Sequence, residues 1–339
     1  MINLRLISHT LALVVLISLA NLGLLLALLV KPFKEAWSWS IACGTAEWFW
    51  SYMQHHWETS LNAAAALQIT GDAIPAHEPA LVISNHLSYG DYYLVQALAI
   101  RAGMLGKCRY FAKKQLVWQV PVFGWSFWAV GMILVSRAWT SDARLIKEAF
   151  ARVNKNKHDV WIVLYPEGTR RTPKKLLEAQ AFERRAGKKE LDRVLFPRPK
   201  GFQATVKGIR HSHIKYIYDL TFQYTSPGRD HERVPSLAEQ LSCADLAAAG
   251  YGFRVHVERI SIADLPQDDE ALRHWLEERW ERKNELLADM LRDEVGTADV
   301  AGQDGADTVG NNVGMAIDHG EVRSAGDQVK SRARPRKLA

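Results

Sequence analysis

The chain of 339 residues holds only three cysteines, Cys43, Cys108 and Cys243, and none of them forms a CxxC pair. Such spacing excludes a disulfide framework and a zinc site built on neighbouring thiols, and it suits a reducing, cytosol-facing environment. Signatures of nucleic-acid recognition are missing as well. Neither zinc-finger spacing nor an RNA-recognition motif nor a long basic helix accompanies the formal net charge of +6, so nucleic acid is not expected as a partner. With 12 Trp and a positive balance, the composition fits contact with an anionic surface, because Trp is favoured where one end of a side chain is apolar and the other wet.

Charge is absent altogether from residues 11–30, LALVVLISLANLGLLLALLV, a run about as long as a helix needs to cross a hydrocarbon core. The choice lies between a spanning helix and a long signal peptide. The run ends in Lys31, Pro32 and Lys34 rather than at a small-residue cleavage site, which favours a retained anchor. Lys31 and Lys34 behind the run also place the rest of the chain on the cytosolic side by the positive-inside rule. Residues 118–135, WQVPVFGWSFWAVGMILV, are uncharged too, but Pro121, Gly124 and Gly131 interrupt them, and hydropathy alone would let them span.

The organisation is read as an anchor over residues 1–36, one catalytic domain over 37–295 and a tail over 296–339. Residues 37–70, rich in Trp, lack strand-like alternation and read as helices, either lying near a membrane surface or packed in an ordinary core. ALVIS (80–84) and VWIVLY (160–165) are short β-branched runs typical of buried strands. A helix is expected from about Tyr92 to Ala102, an amphipathic one over 141–154, and a solvated helix or loop over 174–189. Further strands are expected over 202–206, 216–223 and 253–260, the last as an edge or half-buried strand. Residues 268–291 carry Leu272, Trp275, Leu276, Trp280, Leu287 and Met290 on one helical stripe. The tail has no periodicity, ends in KSRARPRK and is expected to stay disordered, with a basic end that is solvated rather than lipid-bound. Strands alternating with helices predict an α/β domain, a mixed sheet flanked by helices, with functional groups at the strand ends.

Two polar motifs follow the two buried strands. In NHLSYGD (85–91), His86 is an imidazole that can take a proton from a hydroxyl near neutral pH, and Asp91 can fix its tautomer and stabilise the imidazolium. That is the His and Asp part of a hydrolytic triad without an obvious serine. Ser88, two residues from His86, reads as a turn or cap residue rather than a nucleophile. If the hydroxyl belongs to a substrate, no enzyme serine is needed. The second motif, Glu167, Gly168, Thr169 and Arg170, offers a tight bend, a guanidinium suited to bidentate phosphate contact and a carboxylate to orient either. Lys113, Lys114 and Arg137 flank the apolar 118–135 stretch, an arrangement suited to a phosphate headgroup beside an acyl chain, and equally that of cations snorkelling from a membrane.

In this order and spacing, NHLSYGD, AKKQLVWQVPVFGWSFWAVGMILVSR and YPEGTR resemble the first three blocks of the glycerophospholipid acyltransferase family. LFPRPKGF, IYDLTFQY and FRVHVERISIADLP, followed by a Trp-rich charged helix, look like its eukaryotic endoplasmic-reticulum branch, so the resemblance covers about residues 81–291. It implies that His86 and Asp91 are the catalytic pair, and that Lys114, Arg137, Glu167, Gly168, Thr169 and Arg170 form an acceptor phosphate site. It further implies acyl-CoA as co-substrate with no bound cofactor or metal, and a lysophospholipid acceptor, foremost 1-acyl-sn-glycerol 3-phosphate. Lysophosphatidylinositol and lysocardiolipin are the alternative acceptors, and a catalytically silent lipid-binding scaffold is the alternative of another class. Tyr165 stands where the third block usually has Phe, and Tyr92 where lysocardiolipin-type members have Trp. The fourth block of the bacterial branch has no counterpart unless residues 195–199 supply it. If 118–135 crossed the bilayer, His86 and Glu167 would face opposite sides, so this stretch is expected to lie in the interface or fold back against the site. The expected location is a membrane, single-pass or monotopic, of the endoplasmic reticulum with the catalytic domain toward the cytosol.

Overall fold

The computed structural model describes residues 4–120, 123–136, 139–228 and 233–303. Ten helices of the α type lie among them: α1 Leu4–Val30, α2 Glu35–His55, α3 Asp91–Arg101, α4 Leu116–Gln119, α5 Gly124–Ala129, α6 Trp139–Asn156, α7 Pro173–Arg185, α8 Pro199–Ile209, α9 Leu237–Ser242 and α10 Asp269–Gln303. The strands are β1 Leu67–Gly71, β2 Ala80–Ser84, β3 Cys108–Lys113, β4 Ile133–Val135, β5 Trp161–Leu164, β6 Tyr216–Thr225 and β7 Gly252–Ser261. They form one sheet in the order β1-β7-β6-β2-β5-β3-β4. β2 to β6 run parallel to one another, whereas β7 is antiparallel to β6 and carries β1 parallel to itself. The mixed α/β class expected from the sequence is the observed one.

Every residue of β2 and β5 is buried, as strands covered on both faces must be. Alternation then divides their side chains between two cores. Ala80, Val82, Trp161 and Val163 join Leu94 and Leu98 of α3, together with Trp57, Phe222 and Phe253. Leu81, Ile83, Ile162 and Leu164 join Phe150 of α6, Phe202 and Val206 of α8, and Leu276 and Trp280 of α10. Each fully buried aliphatic side chain contributes about 1.5–3 kcal/mol, so the two faces clamp the strands that carry both polar motifs.

Several sequence expectations change. Residues 202–206 are not a strand but the middle of α8, because Pro199 opens a helix and Phe202, Thr205, Val206 and Ile209 recur at helical spacing on a buried face. The helical reading of 37–70 fails at its end, where Leu67–Gly71 pair with Phe253–Val257 as the edge strand β1. That puts β7 inside the sheet, with Phe253, Val255 and Val257 buried in alternation as a half-buried strand requires. α10 continues past Leu291 to Gln303, since one glycine at 296 costs a helix only about 1 kcal/mol. Residues up to Asp293 form one compact unit, and Glu294 onward a second whose described part is the helical stretch to Gln303. The tail expected to be disordered lies, from 304 on, outside the described residues.

α1 is long and apolar enough to cross a membrane. Ala20, Leu24 and Ala27 pack on Ala42 and Ala46 of α2, while Leu11, Val15, Leu19, Leu22, Leu26 and Leu29 are exposed. Gly23 makes this close approach possible, because a Cβ there would lie 2.6 Å from the Thr45 hydroxyl. α5 also reaches α1, the Ser126 hydroxyl donating to Asn21 Oδ1 at 2.6 Å. The uncharged 118–135 stretch therefore folds back: α4, α5 and then β4, which pairs in parallel with β3 through Phe111↔Ile133 and Lys113↔Val135.

Candidate active site

Five parallel strands bring their carboxyl ends to one edge of the sheet, and His86 stands two residues beyond the end of β2. The bend that carries it is held by Asn85, whose side chain copies a strand. Its amide donates to the Phe222 carbonyl at 2.9 Å, and its oxygen accepts from the Phe222 N–H at 2.8 Å, prolonging the β2–β6 ladder by one side chain.

Asp91 is the first residue of α3, and its carboxylate turns back over the loop. It accepts from His86 Nδ1 at 2.7 Å, from the N–H groups of Leu87 at 2.8 Å and Ser88 at 2.9 Å, and from the Tyr224 hydroxyl at 2.8 Å. All four partners are donors to a side chain that is only 1% exposed. Nδ1 must therefore carry its hydrogen toward Asp91, which leaves the lone pair of Nε2 free to accept a proton. The His86 ring is 21% exposed and stacks on Tyr165 at 4.2 Å, so the imidazole is fixed in plane yet reachable. Ser88 is a turn residue as expected, its Oγ accepting from the Gly90 N–H at 3.1 Å and donating to the Pro235 carbonyl at 3.2 Å.

The second motif follows β5, the neighbour of β2. Gly168 adopts φ +68, a left-handed conformation that glycine enters without steric cost. Two residues beyond Thr169, the Arg171 N–H donates to the His86 carbonyl at 2.7 Å and ties the second loop to the first. Thr169 and Arg170 are half-buried, and the Arg170 guanidinium lies 3.4 Å from the centre of the Tyr89 ring, which is 65% exposed.

Glu167 departs from the expected role. Its carboxyl is turned inward and buried, with the Trp280 indole N–H donating to Oε1 at 3.4 Å, so it is not open to a phosphate. Burial pushes its pKa up to about 8, opposed by the Trp280 indole and by the backbone amides of His86 and Leu195. Near neutral pH it is an uncharged group beneath the His86 loop. Lys114 is exposed just past the end of β3, where its N–H donates to the Val135 carbonyl at 2.9 Å, and its side chain has no hydrogen-bond or ion-pair partner among the described residues. Arg137 lies outside the described residues.

Three supports are not evident from the local sequence. Tyr224, Trp280 and the cluster around Asp219 all lie far along the chain from the groups they serve. Period-two alternation along β6 puts Tyr224 on the face of Tyr218, Leu220 and Phe222, but nothing local says that it meets Asp91. Asp219, 2% exposed in mid-strand, accepts from Arg279 Nη2 at 2.7 Å and Lys283 Nζ at 2.6 Å, and Lys283 also donates to the Leu220 carbonyl at 2.8 Å. Burial lowers the Lys283 pKa against the pull of Asp219. This buried cluster pins α10 to β6 and so sets Trp280 above Glu167; a buried ion pair of this kind fixes geometry more than it adds stability.

The assembly offers a base with a free lone pair, a carboxylate to hold it, and a cation-bearing turn on the adjacent strand. Ser88 is engaged with the backbone and is not placed as a nucleophile. The family model "Acyltransferase" matches residues 66–193 and "Acyltransferase C-terminus" matches 250–294, the first covering both motifs and the second β7 and the α10 segment that bears Trp280 and Lys283. Similar curated proteins include the probable 1-acyl-sn-glycerol-3-phosphate acyltransferase 5 of Arabidopsis thaliana, 28% identical over 65% of this chain and 56% of that protein. The 1-acyl-sn-glycerol-3-phosphate acyltransferase 2 of the same plant is 30% identical over 76% of this chain and 64% of its own length. The human 1-acyl-sn-glycerol-3-phosphate acyltransferase delta is 29% identical over 63% and 54%. The chain thus spans between half and two thirds of the length of these relatives. With both matches falling on the elements that build the site, the chain belongs to the glycerophospholipid acyltransferase family.

Proposed function

We propose that this chain is an acyl-CoA-dependent O-acyltransferase that moves a fatty acyl group to the free hydroxyl of 1-acyl-sn-glycerol 3-phosphate, giving phosphatidic acid. The observation that carries the reading is the His86–Asp91 pair on the end of β2, tied through Arg171 to the Gly168–Arg170 turn on the end of β5. A base and a cationic turn on adjacent strands suit one substrate that bears both a hydroxyl and a phosphate.

The reaction is a direct transfer with no acyl-enzyme. His86 Nε2 takes the proton of the acceptor hydroxyl while its oxygen attacks the thioester carbonyl carbon, forming the new C–O bond. Asp91 stabilises the imidazolium. As the tetrahedral intermediate collapses, the C–S bond breaks and the same proton passes from Nε2 to the departing thiolate, so ester and free CoA leave with His86 restored. Arg170, Lys114 and Arg137 hold the phosphate, and the bend at Gly168 sets the turn that presents Arg170. Holding the hydroxyl in line contributes much of the rate by removing the entropy of encounter. Glu167 acts from below, as a neutral support of the His86 loop rather than as a phosphate ligand.

The α1 segment is placed in the membrane, the catalytic body on the cytosolic side of the endoplasmic reticulum, with residues 37–295 as the acyltransferase domain. The test is an assay of the purified protein with acyl-CoA and a panel of lysolipids, following free thiol. Thiol release that depends on 1-acylglycerol 3-phosphate supports the reading. Release without any acceptor marks a hydrolase, transfer from phospholipid without acyl-CoA marks a transacylase, preference for lysophosphatidylinositol or lysocardiolipin moves the acceptor, and no turnover with any of them marks a scaffold.

A further inference from the structure

A second arginine beside the phosphate turn comes from a part of the chain that neither polar motif contains. Arg198 lies in the segment between α7 and α8, where its N–H donates to the Pro166 carbonyl at 2.8 Å and so sets the segment beside the Glu167–Arg170 turn. Its side chain then lies across the open Cα of Gly168. A Cβ on that glycine would meet Arg198 Cδ at 3.3 Å and Nε at 3.7 Å. Gly168 is therefore required twice, for its left-handed φ of +68 and for the room that Arg198 occupies.

The Arg198 guanidinium is exposed and, among the described residues, has no carboxylate partner. Arg170, two positions past Gly168, lies on the face of Tyr89. The nearest carboxyl in sequence, Glu167, is turned inward, and burial keeps it uncharged near neutral pH. Immediately after Arg198, Pro199 begins an 11-residue helix without a side-chain cap, whose positive end adds to the same sign of potential. Two guanidinium groups and a helix start thus border one turn, with no carboxylate paired to either among the described residues. Like charges gathered this way oppose one another until a ligand supplies the missing negative charge.

Resting on the acyltransferase reading above, we propose that Arg198 is a headgroup-selecting residue: with Arg170 it grips the phosphate across Gly168 and favours a phosphomonoester over a phosphodiester acceptor. A phosphomonoester carries close to two charges at neutral pH and three terminal oxygens, enough to engage two guanidinium forks; a phosphodiester carries one charge and two such oxygens. Arg170 alone satisfies the diester. Arg198 adds its contact only when the third oxygen is free.

The experiment compares the purified full chain with its R198Q and R198K variants, using 1-acylglycerol 3-phosphate and lysophosphatidylglycerol as acceptors at fixed acyl-CoA. In R198Q, kcat/KM for the monoester should fall by about 10- to 100-fold, mostly through KM, as for loss of a charge-assisted hydrogen bond. For the diester it should fall less than about threefold, since that acceptor never used the contact. R198K, which keeps the charge and loses the fork, should lie between on the monoester. Equal losses on both acceptors, no loss on either, or a wild-type preference for the diester overturns the proposal. Failure of the acyltransferase reading looks different: the wild-type chain then transfers to neither acceptor, or H86A retains its activity.

Discussion

The backbone N–H of Arg171 donates to the carbonyl of His86 across 2.7 Å and joins the loop after β5 to the loop after β2. Residues far apart in sequence are thereby linked, and the His86 loop is tied to the Gly168–Arg170 turn that is proposed to take the phosphate. How these loops are held decides what each substitution in them should do.

His86→Ala and Asp91→Asn should each abolish acyl transfer in purified protein while expression and membrane attachment persist. General-base catalysis is worth about 10²- to 10⁴-fold, and Asp91→Asn presents an amide that cannot accept from all four donors now converging on it. Thiol release from acyl-CoA in the presence of lysophosphatidate is the measurement, and near-wild-type turnover by H86A ends the assignment.

Tyr224→Phe removes one donor from Asp91 and leaves the ring in place. The carboxylate keeps three partners, so the variant should fold and turn over slowly, with a loss in kcat of roughly 3- to 30-fold for one hydrogen bond to a charged group. A drop confined to KM would contradict a role in holding Asp91.

Glu167 gives a pH dependence with a defined sign. Its carboxyl titrates near 8 in the folded chain, far above the ordinary carboxylate value, so its contribution to stability is present at acid pH and is lost as pH rises toward 8. Glu167→Gln, which keeps the shape and has no charge to acquire, should match the wild type near pH 5 and exceed it at pH 8, by up to a few kcal/mol. Thermal unfolding in detergent across about pH 5–9 reads this out. Parallel profiles for the two proteins would mean that Glu167 is ionised in the fold. On activity, the Gln variant should remain active and Glu167→Ala should not, because only the former still supports the His86 loop and accepts from Trp280.

Parallel pairing of β3 with β4 brings both flanks of the stretch between them onto one sheet, which predicts that the stretch does not cross a bilayer. In a background without the native thiols, Lys107→Cys and Trp139→Cys should react with an impermeant thiol reagent from the same side of sealed vesicles. Reaction from opposite sides would separate β3 from β4 and dismantle the shared site.

The strands that carry the motifs are legible in the sequence because they are buried on both faces and read as unbroken apolar runs. ALVIS coincides with β2 residue for residue, and VWIVLY contains the four residues of β5. β3 is not legible, since CRYFAK contains Arg109, a residue whose burial depends on the Gly106 and Cys108 carbonyls and on the face of Trp39, none of which a local pattern shows. Residues 202–206 mislead because five residues of a helix with a wide apolar face look like a strand until Pro199 is taken as the helix start. At the site, the nearness of His86 and Asp91 in sequence suggests a pair, which becomes specific only with the company of the Lys114–Arg137 stretch and the Glu167–Arg170 motif. The inward turn of Glu167 cannot be read that way, because its partner is Trp280, which reaches it from α10 at the other end of the domain's sequence.

The seam between α1 and α2 has a bearing on how a lipid finds this site. Gly23 lets α1 lie flush on α2 beside Thr45, and Ser126 bonds it to α5 through Asn21, so the apolar helix is bolted to the catalytic body and is no loose tether. On the proposed placement of α1 in a membrane, this seam would carry the mouth at His86 at a set height and tilt relative to the lipid around the helix. The proposed acceptor, with its chain kept in that bilayer, would then need only to diffuse sideways in two dimensions to arrive with its headgroup at the correct level.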